Sequence, residues 1–328
     1  MNTMSKSILK SNFFILTGGP GSGKTSVLMA LKKRGFLTVP EVARDIIKEQ
    51  LTLGGNAMHT GDRQAFLEKM LVHSLDDYLK IQHEKTAAFF DRGIPDLHGY
   101  AKTFCNMEHQ QVNNAVEQYR YCQTAFIFPP WKEIYINDKE RQQDYNESIE
   151  TYAGLKEAYE LCGYHLIEIP FLSIENRVDF ILRTLTQIVL SDLSQEINQW
   201  LGFHENTPRI NYGPCGVFAK LFFEAWNHRF KDKVHIVFVM MKSHEECWHV
   251  AVRLPTGELY DGGIGLHLDK SYNSDKYFIE DMFVYDHERL KKWSYGLDRE
   301  YPRFCPDFDK NKLDSLINHQ LNRITTKA

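Results

Sequence analysis

The feature that most constrains the fold lies close to the start of the chain, where residues 18–25 read Gly-Gly-Pro-Gly-Ser-Gly-Lys-Thr. This run fits the pattern G-x-x-x-x-G-K-[S/T], follows an apolar stretch at residues 13–17 and precedes a helical pattern at residues 27–31. A strand, a glycine-rich turn and a helix in this order place backbone amides and the positive end of the helix against an anion. The sequence therefore predicts a domain that binds the phosphates of a nucleoside triphosphate.

Each part of this loop has a separate predicted role. The glycines let the backbone bend towards the phosphates, Lys24 supplies a mobile positive charge, and Thr25 offers a hydroxyl to magnesium. ATP and Mg²⁺ are therefore the predicted cofactors, with Lys24 as a catalytic residue and Thr25 as a metal ligand. The residues predicted to bind the nucleotide are Gly18, Gly19, Gly21, Ser22, Gly23, Lys24 and Thr25.

Charged residues follow the next two predicted strands. An apolar run ends in Asp91 and Arg92, where an acid can hold magnesium or its waters and a cation can reach phosphate oxygens; the alternative is a surface ion pair. The strand before it ends at Glu41, with Arg44 one helical turn on. Glu41 is the predicted base that accepts a proton from a substrate hydroxyl, and Arg44 the predicted substrate ligand. A simple helix cap is the alternative for Glu41.

A polar segment at residues 132–144 follows the fourth predicted strand and two prolines. Its position suits a lid that excludes water and brings a cation to the transferred group. Lys139 and Arg141 are the candidate cations, with Arg141 as the predicted catalytic one, and a solvated charged loop is the alternative.

The chain divides into two predicted domains. Apolar runs alternate with helical patterns from residue 13 to about residue 190, as in a parallel sheet flanked by helices. Residues 1–190 are therefore assigned to an α/β phosphate-binding domain and residues 191–328 to a smaller α+β domain. The predicted strands of the first domain are residues 13–17, 36–39, 87–91, 125–128 and 165–169, and its predicted helices lie within residues 62–85, 147–161 and 173–190.

The second domain carries a candidate thiol site. Cys215 precedes a helical run, and a helix N-terminus both lowers the pKa of a thiol and offers amides to an oxyanion. Two predicted strands joined by a turn at residues 255–257 bring His249 close to Asp261. This order predicts Cys215 as nucleophile, His249 as base and Asp261 as the acid that orients the imidazole.

Other readings of the second domain remain open. Cys215 is also a reasonable small core residue, His249 a sheet histidine and Asp261 a turn former, while His244, Cys247 and His249 suggest a metal site without a fourth ligand. The six cysteines contain no Cys-x-x-Cys pair, which indicates neither a disulfide framework nor a zinc ribbon and favours a reducing, cytoplasmic setting.

Charge and hydropathy restrict the partners. A net charge of −4 over 39 basic and 43 acidic residues gives no field that would attract nucleic acid, so no nucleic-acid partner is expected. The longest apolar runs are far shorter than the ~20 residues of a membrane span, so none is expected. A small-molecule phosphate acceptor is the predicted partner, and the sequence leaves the oligomeric state open.

Four stretches, residues 17–25, 40–44, 89–96 and 131–144, together resemble the AAA_28 group of predicted P-loop ATPases and kinases, which is similar to ribosylnicotinamide and deoxynucleoside kinases. The resemblance covers about residues 12–190 and implies ATP-dependent phosphorylation of a hydroxyl-bearing, nucleoside-like substrate, with Glu41 as base and Asp91 and Arg92 as the carboxylate–arginine pair. Those kinases usually show Glu-Arg-Ser where this chain has Asp91-Arg92-Gly93. Magnesium binding, base and structural roles therefore all stay open for Asp91.

Residues 211–263 resemble papain-like and transglutaminase-like cysteine enzymes, including arylamine acyltransferases, in the order and element types of Cys215, His249 and Asp261. The resemblance implies a thiol hydrolase or acyltransferase fused to the phosphotransferase. Two alternatives accompany this prediction. The first is an ATPase that regulates the thiol enzyme, and the second is a nucleotide-binding interaction module without chemistry.

Overall fold

The computed structural model describes residues 7–135, 145–243, 246–272, 274–295 and 308–326. The chain forms two compact units, the first running to Arg183 and the second spanning Thr184–Thr325. The boundary between them falls inside one helix, Ile174–Leu201. The sequence predicts a boundary near residue 190 and an end of this helix there, whereas the helix continues for a further 11 residues to Leu201. Leu190, Leu193 and Ile197 continue its buried face at helical spacing.

The first unit is built on a parallel sheet with strand order β3-β4-β2-β6-β7. Its strands are β1 (Ile8–Leu9), β2 (Phe13–Gly18), β3 (Leu37–Val39), β4 (Ala88–Asp91), β5 (Tyr119–Arg120), β6 (Thr124–Phe128) and β7 (His165–Glu168), of which β1 and β5 form a separate pair. Its helices are α1 (Lys24–Lys33), α2 (Val42–Leu53), α3 (Arg63–Lys80), α4 (Ile94–Phe104), α5 (Gln110–Gln118), α6 (Tyr145–Leu161) and the start of α7 (Ile174–Leu201). The predicted parallel sheet flanked by helices is confirmed.

The central strand β2 is buried along its whole length because it has a strand on each side and helices on each face. Phe13 and Ile15 point to one face, where they share a core with Phe66 of α3. Phe14 points to the other face and packs 5.6 Å from the ring of Phe89. This double burial fixes the carboxyl ends of β2 and β4, where the phosphate-binding loop and Asp91 begin.

The second unit is a smaller α+β domain, as the sequence predicts. Its five-stranded antiparallel sheet has the order β13-β12-β11-β10-β14. The strands are β8 (Phe203–His204), β9 (Thr207–Pro208), β10 (His235–Met241), β11 (Cys247–Arg253), β12 (Leu259–Asp261), β13 (Gly265–His267) and β14 (Tyr277–Met282), and β8 pairs with β9. The helices are α8 (Cys215–Arg229), α9 (His287–Tyr295) and α10 (Lys310–Asn322). No described helix has the length and apolarity that crossing a bilayer requires.

Helix α8 packs on this sheet through aromatic side chains at helical spacing. Phe218, Phe222 and Trp226 are buried against Phe238 and Tyr260 of the sheet. The pairing of β10 with β11 shifts its register between Val239 and Met240, which is the signature of a β-bulge. Trp248 in the bulge is 59% exposed, whereas the next residue, His249, is 4% exposed. His249 is therefore buried in the domain directly after the bulge.

Candidate nucleotide and thiol sites

The phosphate-binding loop has the backbone geometry that its glycines predict. Gly21 and Gly23 have φ values of 72° and 86°, which side chains rarely adopt. Gly23 stands immediately before α1, so the amides at the start of that helix face the loop. The ammonium group of Lys24 donates to the carbonyls of Gly18 and Gly19 over 2.8 and 2.9 Å. Burial, assisted by the nearby charge of Arg92, lowers the pKa of Lys24 to about 8.

Asp91 and Thr25 meet beside the loop. The Thr25 hydroxyl donates to Oδ2 of Asp91 over 3.1 Å. Asp91 is 4% exposed, and its Oδ1 is buried without a hydrogen-bond partner among the described residues. Burial raises the pKa of Asp91. A carboxylate oxygen with spare capacity next to a hydroxyl suits a hard divalent cation such as Mg²⁺, so the residues present fit that ion.

Arg92 is held by two carboxylates. Its Nε donates to Glu41 Oε1 over 2.7 Å and its Nη1 to Asp96 Oδ1 over 3.0 Å. Its backbone has a φ of 73°, a left-handed conformation that is uncommon for a residue with a side chain and that clusters at functional sites. Arg92 does not pair with Asp91, so the alternative of a surface ion pair between these two residues is wrong. Arg44 lies farther out, 3.8 Å from Glu41.

Glu41 occupies the N-cap position of α2, but its side chain makes no capping hydrogen bond. It faces Arg92 instead. Burial raises the pKa of Glu41, but the charges of Arg92 and Lys24 and the hydrogen bond from Arg92 outweigh this effect and lower it overall. Glu41 is therefore ionised at neutral pH and close to the phosphate-binding loop.

Asp96 was not among the residues predicted from sequence. It is 4% exposed and accepts hydrogen bonds from the hydroxyls of Thr17 and Tyr159 over 2.6 and 2.5 Å. Arg92 donates the third hydrogen bond to Asp96, and the backbone amide of Gly93 donates the fourth over 2.8 Å. The available sequence signal was the spacing of four residues between Arg92 and Asp96 at the start of α4.

These groups line one cavity of about 960 Å³ in the first unit. The phosphate-binding loop, Glu41, Asp91 and Arg92 form one end of it. Another part of the lining is apolar and aromatic, where the ring of Tyr100 contacts the rings of Phe66 and Phe104 at centroid distances of 6.0 and 5.2 Å. The Tyr100 hydroxyl is buried and has no hydrogen-bond partner within the described part of the chain. The cavity therefore offers a ring-lined compartment next to a charged one.

The predicted lid is described only at its start. Trp131 lines the cavity beside the loop, as does Ile134 of the 3-10 helix Lys132–Ile134, and Tyr135 packs over Gly21. The candidate cations Lys139 and Arg141 lie outside the described residues.

A family profile, AAA_28 (AAA domain), matches residues 13–177, just over half of the chain. The chain belongs to the AAA_28 family. The AAA_28 domain thus coincides with the parallel sheet, the phosphate-binding loop and the cavity, and it is a nucleotide-binding P-loop domain. The sequence matches no curated protein.

Two solved structures are similar to about half of this AAA_28 protein. Thymidylate kinase from Ehrlichia chaffeensis is 15% identical with a TM-score of 0.39, over 54% of this chain and 99% of that one. The NadR protein in complex with NR is 16% identical with a TM-score of 0.41, over 54% of this chain and 51% of that one.

After the AAA_28 domain, the second unit brings together the three residues of the predicted thiol site. Cys215 is the first residue of α8 and is 9% exposed. Nε2 of His249, on β11, lies 3.1 Å from Oδ2 of Asp261, at the end of β12. This contact leaves Nδ1 of His249 as the nitrogen available to the thiol. Within the described residues, the pairing of β11 with β12 covers Val252 and Arg253 of β11, so His249 lies outside the paired part of these two strands.

Asp261 is fully buried and well supplied with donors. Its Oδ1 accepts from Asn211 Nδ2 over 2.8 Å and from the amides of Gly263 and Ile264 over 2.9 and 2.7 Å. Although burial opposes ionisation, the hydrogen bonds from His249, Asn211 and Ile264 hold the pKa of Asp261 well below its usual range. His267, which was not predicted from sequence, lies 3.8 Å from the same carboxylate.

The thiol and the imidazole perturb each other. Burial raises the pKa of Cys215, but hydrogen bonding and charge from His249, together with a hydrogen bond from the Val250 backbone, lower it overall. For His249, burial lowers the pKa, but Asp261 and Cys215 raise it to about 10. Both shifts favour a thiolate–imidazolium pair.

A metal site is not seen in the described ranges, where no group of three or more His, Cys, Asp or Glu side chains could hold an ion. Of the suggested metal ligands, His244 lies outside those ranges, and Cys247 is buried with its thiol 3.1 Å from the carbonyl of His249.

Proposed function

We propose that the AAA_28 domain transfers the terminal phosphoryl group of ATP to a hydroxyl of a small, nucleoside-like acceptor. One observation carries this proposal. Glu41, paired with Arg92 at 2.7 Å, lines the same cavity as Lys24 and Asp91, and that cavity continues into a compartment lined by aromatic rings. A domain that only hydrolysed ATP would have no need of an apolar compartment beyond a candidate base.

The charged end of the cavity supplies the groups that phosphoryl transfer requires. The loop amides and Lys24 hold the phosphates, and Thr25 with Asp91 would hold Mg²⁺, which neutralises charge on them. The acceptor oxygen attacks the terminal phosphorus, the bond from that phosphorus to the bridging oxygen breaks, and ADP leaves. Glu41 takes the proton of the acceptor hydroxyl. Arg92 keeps Glu41 ionised and faces the charge that builds on the transferred group.

The deciding experiment incubates the protein with Mg-ATP and a panel of nucleosides and related hydroxyl-bearing metabolites. Phosphorylated acceptor that depends on Lys24 supports the proposal, and the Lys24→Ala variant is the control. Release of ADP and inorganic phosphate without a phosphorylated acceptor would favour a regulatory ATPase. Nucleotide binding with neither product would favour an interaction module.

We further propose that the second unit is a thiol-dependent hydrolase or acyltransferase. The observation that favours it is the position of His249, which contacts Asp261 at 3.1 Å and is close enough to Cys215 to lower the pKa of its thiol. The thiolate attacks an acyl carbon, and His249 returns a proton to the leaving group. Water or an amine then releases the acyl group from sulfur, with His249 taking the proton of that second nucleophile.

A matched pair of cysteines tests this second proposal. Cys215 and Cys247 are similarly buried, at 9% and 5% exposure. Cys215→Ala should abolish turnover of aryl ester and amide probes, and Cys247→Ala should retain it. Turnover that survives Cys215→Ala would refute the thiol mechanism.

A further inference from the structure

Arg177 lies beside the phosphate-binding loop and has no role in the mechanism above. It is 4% exposed, and its Nη1 donates to the carbonyl of Ser22 over 3.3 Å. Its Nε is buried and makes no hydrogen bond to any residue that the structure describes. A long bond to a neutral carbonyl is therefore the only polar contact found for this guanidinium within residues 7–135 and 145–243.

Burying a cation without a carboxylate is costly, and proteins normally place an ion pair there. The matched contrast is Arg34, which pairs with Glu175 and Asp179 of the same helix at 2.7 and 2.6 Å on the surface. Burial lowers the pKa of Arg177, which reflects the same penalty on its charge. An anion that binds at the loop would supply the charged partner that the described residues do not.

The neighbours of Arg177 indicate which part of a nucleotide it would meet. A Cβ atom at Gly23 would lie 2.8 Å from Nη1, so the guanidinium packs directly on the loop backbone. On its other side lie the rings of Trp131 and Phe128, with centroids 5.4 and 6.0 Å away. Trp131 in turn packs 5.2 Å from the half-exposed ring of Phe171. None of these residues belongs to the reacting end of the cavity.

We propose that Arg177 and Trp131 form the subsite for the non-reacting end of the donor nucleotide. The guanidinium bonds to the phosphate nearest the ribose, and the indole packs against the base. This subsite deepens the nucleotide-binding part of the proposed function and rests on that part alone, because it requires no acceptor. The loop amides and Lys24 serve the outer phosphates, and Arg177 adds affinity that is equal in the ground state and the transition state.

The first test measures binding of a fluorescent ADP analogue to the full chain. Arg177→Met should weaken binding about 10- to 100-fold, as expected for loss of a charge-assisted hydrogen bond. Arg34→Met, which removes an arginine at the end of α1 that pairs with the surface of the helix carrying Arg177, should bind the analogue like the wild type. Wild-type affinity in Arg177→Met would overturn the proposal.

Thermal unfolding separates this role from a structural one. Because the described residues offer this charge no carboxylate partner, Arg177→Met should keep or raise the melting temperature of the nucleotide-free protein while reducing the increase that ADP causes. A lowered melting temperature without nucleotide would assign Arg177 to structure instead.

Where an acceptor is phosphorylated, Arg177→Met should raise the KM for ATP and leave kcat within about twofold. A fall in kcat at unchanged KM would overturn the assignment in favour of the transferred group.

The base contact has its own probe. Trp131→Ala should weaken binding of ADP by about tenfold or more, as for loss of a stacked ring, and should leave binding of inorganic tripolyphosphate unchanged. Equal losses for both probes would overturn the assignment of Trp131 to the base. These binding measurements stand even if the nucleoside panel yields no phosphorylated product, so failure of the subsite and failure of the phosphotransferase proposal are distinguishable.

Discussion

Nη1 of Arg92 donates to Oδ1 of Asp96 over 3.0 Å, so the partly exposed guanidinium of Arg92 is bound to a carboxylate that is anchored in the core. Thr17 at the end of β2 and Tyr159 on α6 both donate to Asp96. The orientation of Arg92, and through it that of Glu41, is therefore fixed from two elements of the fold. Asp96 acts here as a positioning residue.

The bond from Tyr159 to Asp96 can be tested against a matched bond on the same helix. Tyr159→Phe removes a buried donor to a carboxylate and should lower the free energy of unfolding by about 1.5–3 kcal/mol. Tyr152→Phe removes a bond of the same length to the exposed Glu168 and should cost less than about 0.5 kcal/mol. Urea unfolding of both variants measures the difference, and equal costs would contradict the anchoring role.

Glu41→Gln tests the candidate base. The amide keeps the shape of the side chain and can still face Arg92, but it cannot accept a proton. We expect kcat to fall about 10²- to 10⁴-fold, with the KM for ATP unchanged within about twofold. Since the side chain makes no capping bond, α2 should keep its helicity, which circular dichroism would show. Retained kcat would remove Glu41 from the chemistry.

The sequence predicts part of this site, because some of its residues belong to local patterns and others do not. The motif around Lys24, the apolar strands and Asp91 all follow from local patterns, and the structure places them at one sheet edge. For Asp96, the sequence offers only its spacing of four residues from Arg92, which is a weak indication of an ion pair between the two. Arg177 follows the loop by about 150 residues in an amphipathic helix, so only the packed structure reveals its contact with Ser22.

In the second unit, the predicted hairpin brought His249 and Asp261 together because β-pairing follows from alternation and the turn. The bulge opposite Val239 and Met240 was not predicted, since a single extra residue leaves no clear trace in an apolar run. A bulge interrupts the alternation of side chains along a strand. The strand pattern alone therefore does not assign the face on which His249 lies.

The pKa of Lys24 gives a prediction for nucleotide binding. Burial lowers this pKa from 10.5 to about 8, so the free protein loses the charge on Lys24 as the pH rises through about 8. Only the protonated form attracts phosphate strongly, and ADP affinity should therefore decline above that pH. Lys24→Arg, whose guanidinium stays charged, should bind ADP without this inflection between pH 7 and 9.5. A wild-type affinity that is flat over this range would contradict the shift.

Asp91→Asn should separate metal binding from phosphate binding. In the wild type, ADP affinity should increase when Mg²⁺ is added, because Asp91 and Thr25 can hold the ion. In the variant, affinity without Mg²⁺ should be equal or higher, since an anionic group near the phosphates is gone, and the increase with Mg²⁺ should be lost. Calorimetric titration with EDTA and with Mg²⁺ measures both. An unchanged increase would assign Asp91 a structural role.

The thiol site should show its ion pair in the pH dependence of alkylation. The pKa of Cys215 is lowered and that of His249 is raised to about 10, so both shifts widen the pH range in which thiolate and imidazolium coexist. Alkylation of Cys215 by iodoacetamide, followed by peptide mass spectrometry, should already be rapid below the ordinary thiol pKa of about 8.5. In Asp261→Asn the imidazolium loses its carboxylate partner, so the onset of alkylation should move to higher pH.

Cys247, which is similarly buried, serves as the internal control in each digest. An onset for Cys215 that matches Cys247 in the wild type would contradict the pairing, because burial alone would then account for the reactivity of both thiols.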